Sequence, residues 1–198
     1  MKAVLMSIKP KWCEKIFSGE KTIEVRKTAP KLETPFKVYV YCTTEKIGGG
    51  YLHTSNHRDR LYVWSNPDDT EIRVEPDGYT YTAHCCRGKV IGEFVCERVR
   101  AYIPFGLRGF ELFPEWLEQI CLSKEQLDKY GGLKTLYGWH ITEPKLYDKP
   151  KELSDFKTPD KPYHEIIERD GSLMFMDGYE SGKPLKRAPQ SWQYVEEI

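Results

Sequence analysis

The sequence has no excess of charge of either sign, because 30 lysine and arginine residues are balanced by 30 aspartate and glutamate residues. A strongly basic domain attracts nucleic acid or an anionic membrane through its overall field. This chain has no such field, so any nucleic-acid binding must come from a local patch. With 198 residues it is long enough to bury a real hydrophobic core, and we expect one domain or one domain with an appendage.

Long apolar runs are also missing. No run of about 18 apolar residues is available to span a bilayer. The opening segment reaches Ser7, Lys9 and Lys11 too soon to form the apolar core of a signal peptide. We therefore expect a soluble, cytoplasmic protein with no membrane partner.

Cysteine and histidine spacings that are typical of metal ligands are also scarce. The six cysteines show no CxxC spacing, and without a secretory signal they are expected to remain reduced thiols. His53 and His57 have the spacing of two ligands on one helix face, but their turn-rich surroundings argue against a helix. The sequence predicts no metal site, and nothing in it indicates a cofactor.

The chain opens with a predicted strand, a short helix and a second strand. Ala3–Ile8 is β-rich, and Pro10 suits the first position of a helix, where an N–H would lack a partner anyway. Gly19 stands where a left-handed C-terminal cap belongs. In the strand Thr22–Arg26, apolar and polar residues alternate, so one face is apolar and the other carries charge.

The middle of the chain adds strands and helices without a repeating pattern. Gly92 indicates a bulge or bend in its strand, and residues 51–82 mix β-rich and turn-forming residues, as in irregular structure with short strands. The order of elements indicates an α+β protein with a mixed sheet or partly closed β-barrel and short helices at its sides. The further predicted strands are Phe36–Tyr41, Lys89–Arg98 and Leu136–Thr142, and the predicted helices are Pro114–Cys121 and one capped by Ser123.

From Asp148 onward, prolines punctuate a mostly extended segment. Asp170-Gly171 fits a two-residue hairpin turn between the predicted strands Glu165–Arg169 and Ser172–Met176. The aromatic stretch Gln190–Val195 is expected to dock back on the body.

The stretch GEKTIEVRK, residues 19–27, holds the candidate site. Lys21 follows the helix-capping glycine, at a rim where a cleft could form. Glu24 and Arg26 share a strand face about 7 Å apart and could orient each other. Taken alone, this pattern is more typical of a solvated strand face, so the prediction depends on the surroundings.

Ser7 to Lys27 (SIKPKWCEKIFSGEKTIEVRK) resembles the opening signature of the ASCH family, with its Gly-x-Lys-x-x-Glu-x-Arg motif. The resemblance covers residues 1–153, with a weakly matched insertion at roughly 43–82, and leaves 154–198 as a C-terminal extension packed on the barrel. It implies a small PUA-like mixed β-barrel and a bacterial or prophage-type member. It also implies a cleft that binds RNA or a nucleotide-like ligand, with the candidate binding residues Ser7, Lys9, Lys21, Thr22, Glu24 and Arg26.

The same resemblance leaves an enzymatic alternative open. Some small ASCH proteins hydrolyse acylated cytidine with a lysine, a threonine and a glutamate. Lys21 stands at the lysine position, but Glu24 occupies the position of the threonine. An N4-acylcytidine amidohydrolase or a ribonuclease would use Lys21 and Glu24 as a proton-transfer pair. A third possibility is a protein-interaction role with no nucleotide ligand.

Overall fold

The computed structural model describes residues 1–44, 49–54, 60–64, 72–74, 80–104, 114–169 and 172–198. The predicted turn Asp170-Gly171 and His57 lie outside these residues, as do several parts of the expected insertion. The described helices are α1 (Pro10–Phe17), α2 (Pro114–Ile120) and α3 (Lys124–Gly131), with a short 3-10 helix at Leu153–Asp155. The strands are β1 (Lys2–Ile8), β2 (Ile23–Arg26), β3 (Phe36–Cys42), β4 (Gly49–Thr54), β5 (Arg60–Trp64), β6 (Ile72–Val74), β7 (Thr80–Cys85), β8 (Lys89–Tyr102), β9 (Leu136–Lys151), β10 (Lys161–Arg169), β11 (Ser172–Glu180) and β12 (Trp192–Glu196).

A six-stranded sheet in the order β12-β1-β3-β8-β9-β2 forms the centre of the molecule. β1 and β3 are parallel, and the other neighbouring pairs are antiparallel. With its few short helices, the chain has the predicted mixed α+β fold. Within the described residues this sheet is not closed into a barrel, because β12 and β2 stand at its two edges.

The sheet is buried on both faces. Along β1, Val4 and Met6 point into one core cluster and Ala3 and Leu5 into another, as the two-residue period of a strand requires. Burial on both faces explains why the sequence of β1 is almost continuously apolar. Trp139 is fully buried in the first cluster.

Gly92 lies at the irregularity that its position in the sequence predicts. The register of β8 shifts against β9 between Val90 and Gly92. A Cβ atom at residue 92 would lie 2.4 Å from the Lys145 carbonyl oxygen and 2.6 Å from the Phe17 ring. The bend therefore requires a glycine.

The helix signals of the sequence are confirmed. α1 begins at Pro10, and Gly19 has a φ of +83°, the left-handed conformation expected after a helix. Ser123 and Gln126 form a capping box at the start of α3, with each backbone N–H bonded to the other side chain. A third apolar cluster packs α2 and α3 against Ile23 and Val25 of β2, which places both helices beside the charged residues of that strand.

Two smaller sheets complete the described structure. Strands β4 to β7 form a four-stranded sheet in the order β5-β4-β7-β6, and β10 and β11 form a separate hairpin. The hairpin predicted around residues 170–171 is thus present, with Arg169 opposite Ser172. The aromatic C-terminal stretch pairs as β12 with β1, so it docks on the body as expected. Within the described part of the chain, no helix is both long and apolar enough to cross a membrane.

Candidate functional site

Three charged side chains from one short segment meet inside the protein. Lys21, Glu24 and Arg26 are 2%, 7% and 8% exposed. Glu24 lies between the two cations: its Oε2 is 3.3 Å from Lys21 Nζ and its Oε1 is 3.0 Å from Arg26 Nη2. Burying an unpaired charge costs free energy. The ion pairs of Glu24 with Lys21 and Arg26 therefore explain how three ionisable side chains can be buried together.

Lys21 and Arg26 each also donate a hydrogen bond to a backbone carbonyl. Lys21 Nζ donates to the carbonyl of Ile120 at the end of α2 at 2.6 Å, and Arg26 Nη2 donates to the carbonyl of Ser7 at 2.8 Å. These bonds fix the side chains in position before any ligand arrives, which is the preorganisation that a binding site needs. Arg26 Nε is buried and has no hydrogen-bond partner among the described residues.

The three residues form part of the wall of a pocket of about 350 Å³. Two aromatic side chains also line it, Trp12 of α1 and Tyr130 of α3. The Trp12 ring lies under two ammonium groups, with its centroid 4.5 Å from Lys11 Nζ and 5.2 Å from Lys21 Nζ. Partial burial raises the pKa of the Tyr130 hydroxyl, which keeps it neutral and able to donate at physiological pH. The pocket is lined by Ser7, Ile8, Lys9, Trp12, Lys21, Glu24, Val25, Arg26, Thr43, Leu122, Gln126, Tyr130 and Gln190.

The C-terminal segment supplies one side of the pocket. Ser7 Oγ donates to the carbonyl of Pro189 at 2.7 Å, and the Ser7 N–H donates to the carbonyl of Ser191 at 2.9 Å. Arg26 Nη1 makes a longer contact of 3.4 Å with Ser191 Oγ. Gln190, between these two anchors, lines the pocket. Ser7 therefore ties the end of β1 to the segment that carries Gln190.

Gln126 contributes an uncharged hydrogen-bond donor, its side-chain NH₂ group. Its side-chain carbonyl oxygen accepts the N–H of Ser123 in the capping box at 3.1 Å. The amide oxygen is thereby used, so the NH₂ group is left to donate elsewhere. Since Gln126 lines the pocket, it adds an uncharged donor to the charged ones.

Five of the six predicted binding residues line the pocket: Ser7, Lys9, Lys21, Glu24 and Arg26. Thr22 does not. It is exposed. Its backbone N–H donates to the carbonyl of Gln119, and its carbonyl accepts from the N–H of Ile141. The observed strand β2 begins at Ile23, one residue later than predicted. Thr22 therefore lies outside the strand, and the alternation of strand residues does not place its side chain on the face of Glu24.

Sequence reasoning did not identify the other lining residues, among them the aromatic and amide side chains of Trp12, Gln126, Tyr130 and Gln190. Neither the helix that begins at Pro10 nor the cap at Ser123 indicates that Trp12 or Gln126 reaches the site. One signal was available, because Gln126 and Tyr130 are four residues apart on a helix and therefore share a face. Gln190 reaches the site from a distant part of the chain, and no local pattern indicates that.

Solved structures similar to this chain are ASCH proteins from Zymomonas mobilis. One shares 16% identity with this chain, covers 76% of it and 73% of its own length, and has a TM-score of 0.47. Two single-residue variants of that protein each share 14% identity, with TM-scores of 0.41 and 0.40. They cover 77% and 76% of this chain, and 77% and 74% of their own lengths. No protein-family model and no curated protein matches the sequence.

Proposed function

We propose that this pocket binds RNA or a nucleotide-like ligand, one nucleotide unit at a time. The observation that carries the proposal is the convergence of Lys21, Glu24 and Arg26, all nearly buried, on one pocket with aromatic side chains in its wall. A binding site needs convergent polar groups in a concave place, and a solvated strand face would not have them.

The pocket offers groups for the phosphate and for the base of a nucleotide. Lys9, Lys21 and Arg26 give it an excess of positive charge over Glu24, which suits a phosphate. Trp12 and Tyr130 offer ring faces on which a base can stack. Glu24 can accept from an exocyclic amine of the base.

The size of the pocket favours a single unit. About 350 Å³ lies near the lower end of the range of small-molecule sites, roughly 300 to 1,000 Å³. A duplex does not fit such a volume. A splayed base with its own phosphate, or a free mononucleotide, has the right dimensions.

Calorimetric titration with the four 5′-mononucleotides and with short single-stranded RNA tests the proposal, at low and at high salt. We expect saturable binding that weakens as salt is raised, because a phosphate contact displaces counterions. Absence of binding at low salt would refute the proposal.

A pair of lysine variants tests where the ligand binds. Lys9 is exposed and lines the pocket, so Lys9→Ala should weaken binding without unfolding the protein. Lys2 is also exposed, at the start of β1, and does not line the pocket, so Lys2→Ala serves as the matched control. Equal losses in the two variants would place the ligand outside the pocket.

A second candidate function is hydrolysis of an acylated cytidine or of an RNA phosphodiester. The observation that favours it is the 3.3 Å contact between Lys21 and Glu24 inside the pocket, a pair that could move a proton to or from an attacking water. Incubation with N4-acetylcytidine or with RNA, followed by chromatography, tests it. Product formation no greater than in Lys21→Ala would exclude this function.

A further inference from the structure

Two exposed lysines lie beside the pocket, each against one of its aromatic side chains. Lys11 Nζ is 4.5 Å from the centroid of the Trp12 ring, and Lys27 Nζ is 4.8 Å from the centroid of the Tyr130 ring. Both rings line the pocket, whereas neither lysine does. An ammonium group over an aromatic face is attracted by the ring quadrupole. The two contacts therefore hold the ammonium groups next to the pocket without placing them inside it.

Inside the pocket, a row of contacts connects the two rings. The Trp12 ring lies 5.2 Å from Lys21 Nζ. Glu24 pairs with Lys21 through Oε2 and with Arg26 through Oε1. The charges of Arg26 and Glu24 act in opposite directions on the pKa of the Tyr130 hydroxyl, so this hydroxyl lies near both of them. The row thus runs from Trp12 through the three buried charges to Tyr130.

Lys11 and Lys27 extend this row at its two ends, and no acidic side chain neutralises them. Within the part of the chain that the structure describes, neither lysine forms an ion pair. Lys15, on the same helix as Lys11, in contrast pairs with Glu20 at 2.5 Å. Each aromatic side chain of the pocket is therefore flanked on its outer side by an exposed positive charge that is available to an anion.

A free mononucleotide would use neither of these lysines. A pocket of about 350 Å³ takes its base and its phosphate together, and it has no further charged group. A nucleotide within a strand differs, because a neighbouring phosphate precedes it and another follows it. Proteins that bind single strands combine aromatic side chains for the bases with cations that follow the backbone. The positions of the two lysines therefore favour a strand over a free nucleotide.

We propose that the pocket holds one nucleotide of a single-stranded RNA, and that Lys11 and Lys27 bind the phosphates of the neighbouring nucleotides. Their role depends on the proposed function, because the pocket must hold a nucleotide before its neighbours can reach the two lysines. The strand enters beside one aromatic side chain and leaves beside the other. Contacts of this kind are made to the backbone, so they add affinity and register without reading the base.

Calorimetric titration with a 5′-mononucleotide and with the 5′-phosphorylated trinucleotide of the same base tests the proposal, for each of the four bases. When the middle unit of the trinucleotide is in the pocket, one phosphate precedes that unit's own phosphate and another follows it. We expect the trinucleotide to bind at least about tenfold more tightly at low salt. Its affinity should also fall more steeply as salt is raised, because each added phosphate contact contributes about 0.7 to the slope of log K against log salt concentration.

Alanine variants test whether the two lysines cause this difference. Lys11→Ala and Lys27→Ala should each weaken trinucleotide binding about fivefold and lower its salt slope, while mononucleotide affinity stays within about twofold. The double variant should bind both ligands with nearly equal affinity. Lys151→Ala is the matched control, because Lys151 Nζ lies 5.0 Å from the centroid of the Tyr147 ring and neither residue lines the pocket. It should change neither affinity, and circular dichroism verifies that each variant is folded.

The results separate the role of the lysines from the function of the pocket. If the unaltered protein bound the trinucleotide no more tightly than the mononucleotide, the role of Lys11 and Lys27 would be wrong and the proposed function would stand. The same conclusion would follow if the lysine variants lost affinity for both ligands equally, or if Lys151→Ala weakened trinucleotide binding as much as they do. Absence of binding by every mononucleotide and trinucleotide at low salt would overturn both.

Discussion

Arg26 is joined to Ser7 by a hydrogen bond of 2.8 Å from Nη2 to the backbone carbonyl. The two residues belong to β2 and β1, which are not neighbours in the sheet order. Through this bond and the contact with Ser191, Arg26 spans the gap between one edge of the sheet and the strands near the other. The side chain of Arg26 thus connects two parts of the sheet that are not paired through their backbones. The pocket lies between these two parts and is lined by both Ser7 and Arg26.

Replacing Arg26 should destabilise the fold as well as reduce binding. Arg26→Ala removes the hydrogen bonds to Glu24 and Ser7, and we expect a loss of about 3 kcal/mol from the free energy of unfolding. Arg26→Lys keeps the charge but cannot reach both partners, so the loss should be about half as large. Urea unfolding measures both values. Arg100→Ala, an exposed arginine on β8, should change stability by less than about 0.5 kcal/mol; a similar loss there would contradict a specific role for Arg26.

Glu24→Gln should separate stability from ligand affinity. The substitution keeps the shape of the side chain but leaves Lys21 and Arg26 without a counter-charge, so the free energy of unfolding should fall by about 1 to 3 kcal/mol. The pocket becomes more positive, and a phosphate-bearing ligand should bind more tightly at low salt, whereas a neutral nucleoside should not. Calorimetry with a nucleotide and its nucleoside measures the difference. If the nucleotide gained no affinity relative to the nucleoside, the negative charge of Glu24 would not oppose a bound phosphate.

The hydroxyl of Ser7 should matter for binding beyond its effect on stability. Ser7→Ala leaves the Pro189 carbonyl without its donor and loosens the segment that carries Gln190, so we expect about 1 kcal/mol of destabilisation together with weaker ligand binding. Thr142→Ala is the matched control, because Thr142 Oγ1 donates to the carbonyl of Val95 at 3.2 Å away from the pocket. It should lose similar stability and no affinity. Unchanged affinity in Ser7→Ala would mean that this segment is not needed for the site.

Local signals in the sequence predicted local structure well. Pro10, Gly19 and the Ser123 capping box each act within one helical turn, and the structure places helix ends at all three. The strand alternation that separates Glu24 and Arg26 from Ile23 and Val25 is likewise a property of neighbouring residues. These features follow from backbone geometry, which a single sequence contains.

The rest of the site depends on contacts between distant parts of the chain. Arg26 is held in its buried position by contacts with Ser7 and Ser191, and no pattern within Ile23–Arg26 determines these contacts. The exposure of Phe175, Tyr179 and Leu173 on the hairpin was not predicted for a related reason. Residues 161–180 indicate a hairpin, but whether its side chains are exposed depends on what the rest of the chain packs against them.

Alkaline pH should destabilise the protein through its buried thiols. Burial raises the pKa of Cys96 from its ordinary value of 9.0 to about 12, and burial together with Cys42 raises the pKa of Cys13 in the same direction. Above pH 9 the unfolded chain therefore releases thiol protons that the folded chain retains, so stability is full below pH 9 and declines as pH rises toward 12. Urea midpoints between pH 7 and 10 measure the decline. Cys96→Ala removes one of these groups and should flatten the slope above pH 9. An unchanged slope in Cys96→Ala would show that the Cys96 thiol ionises equally in the folded and unfolded chains.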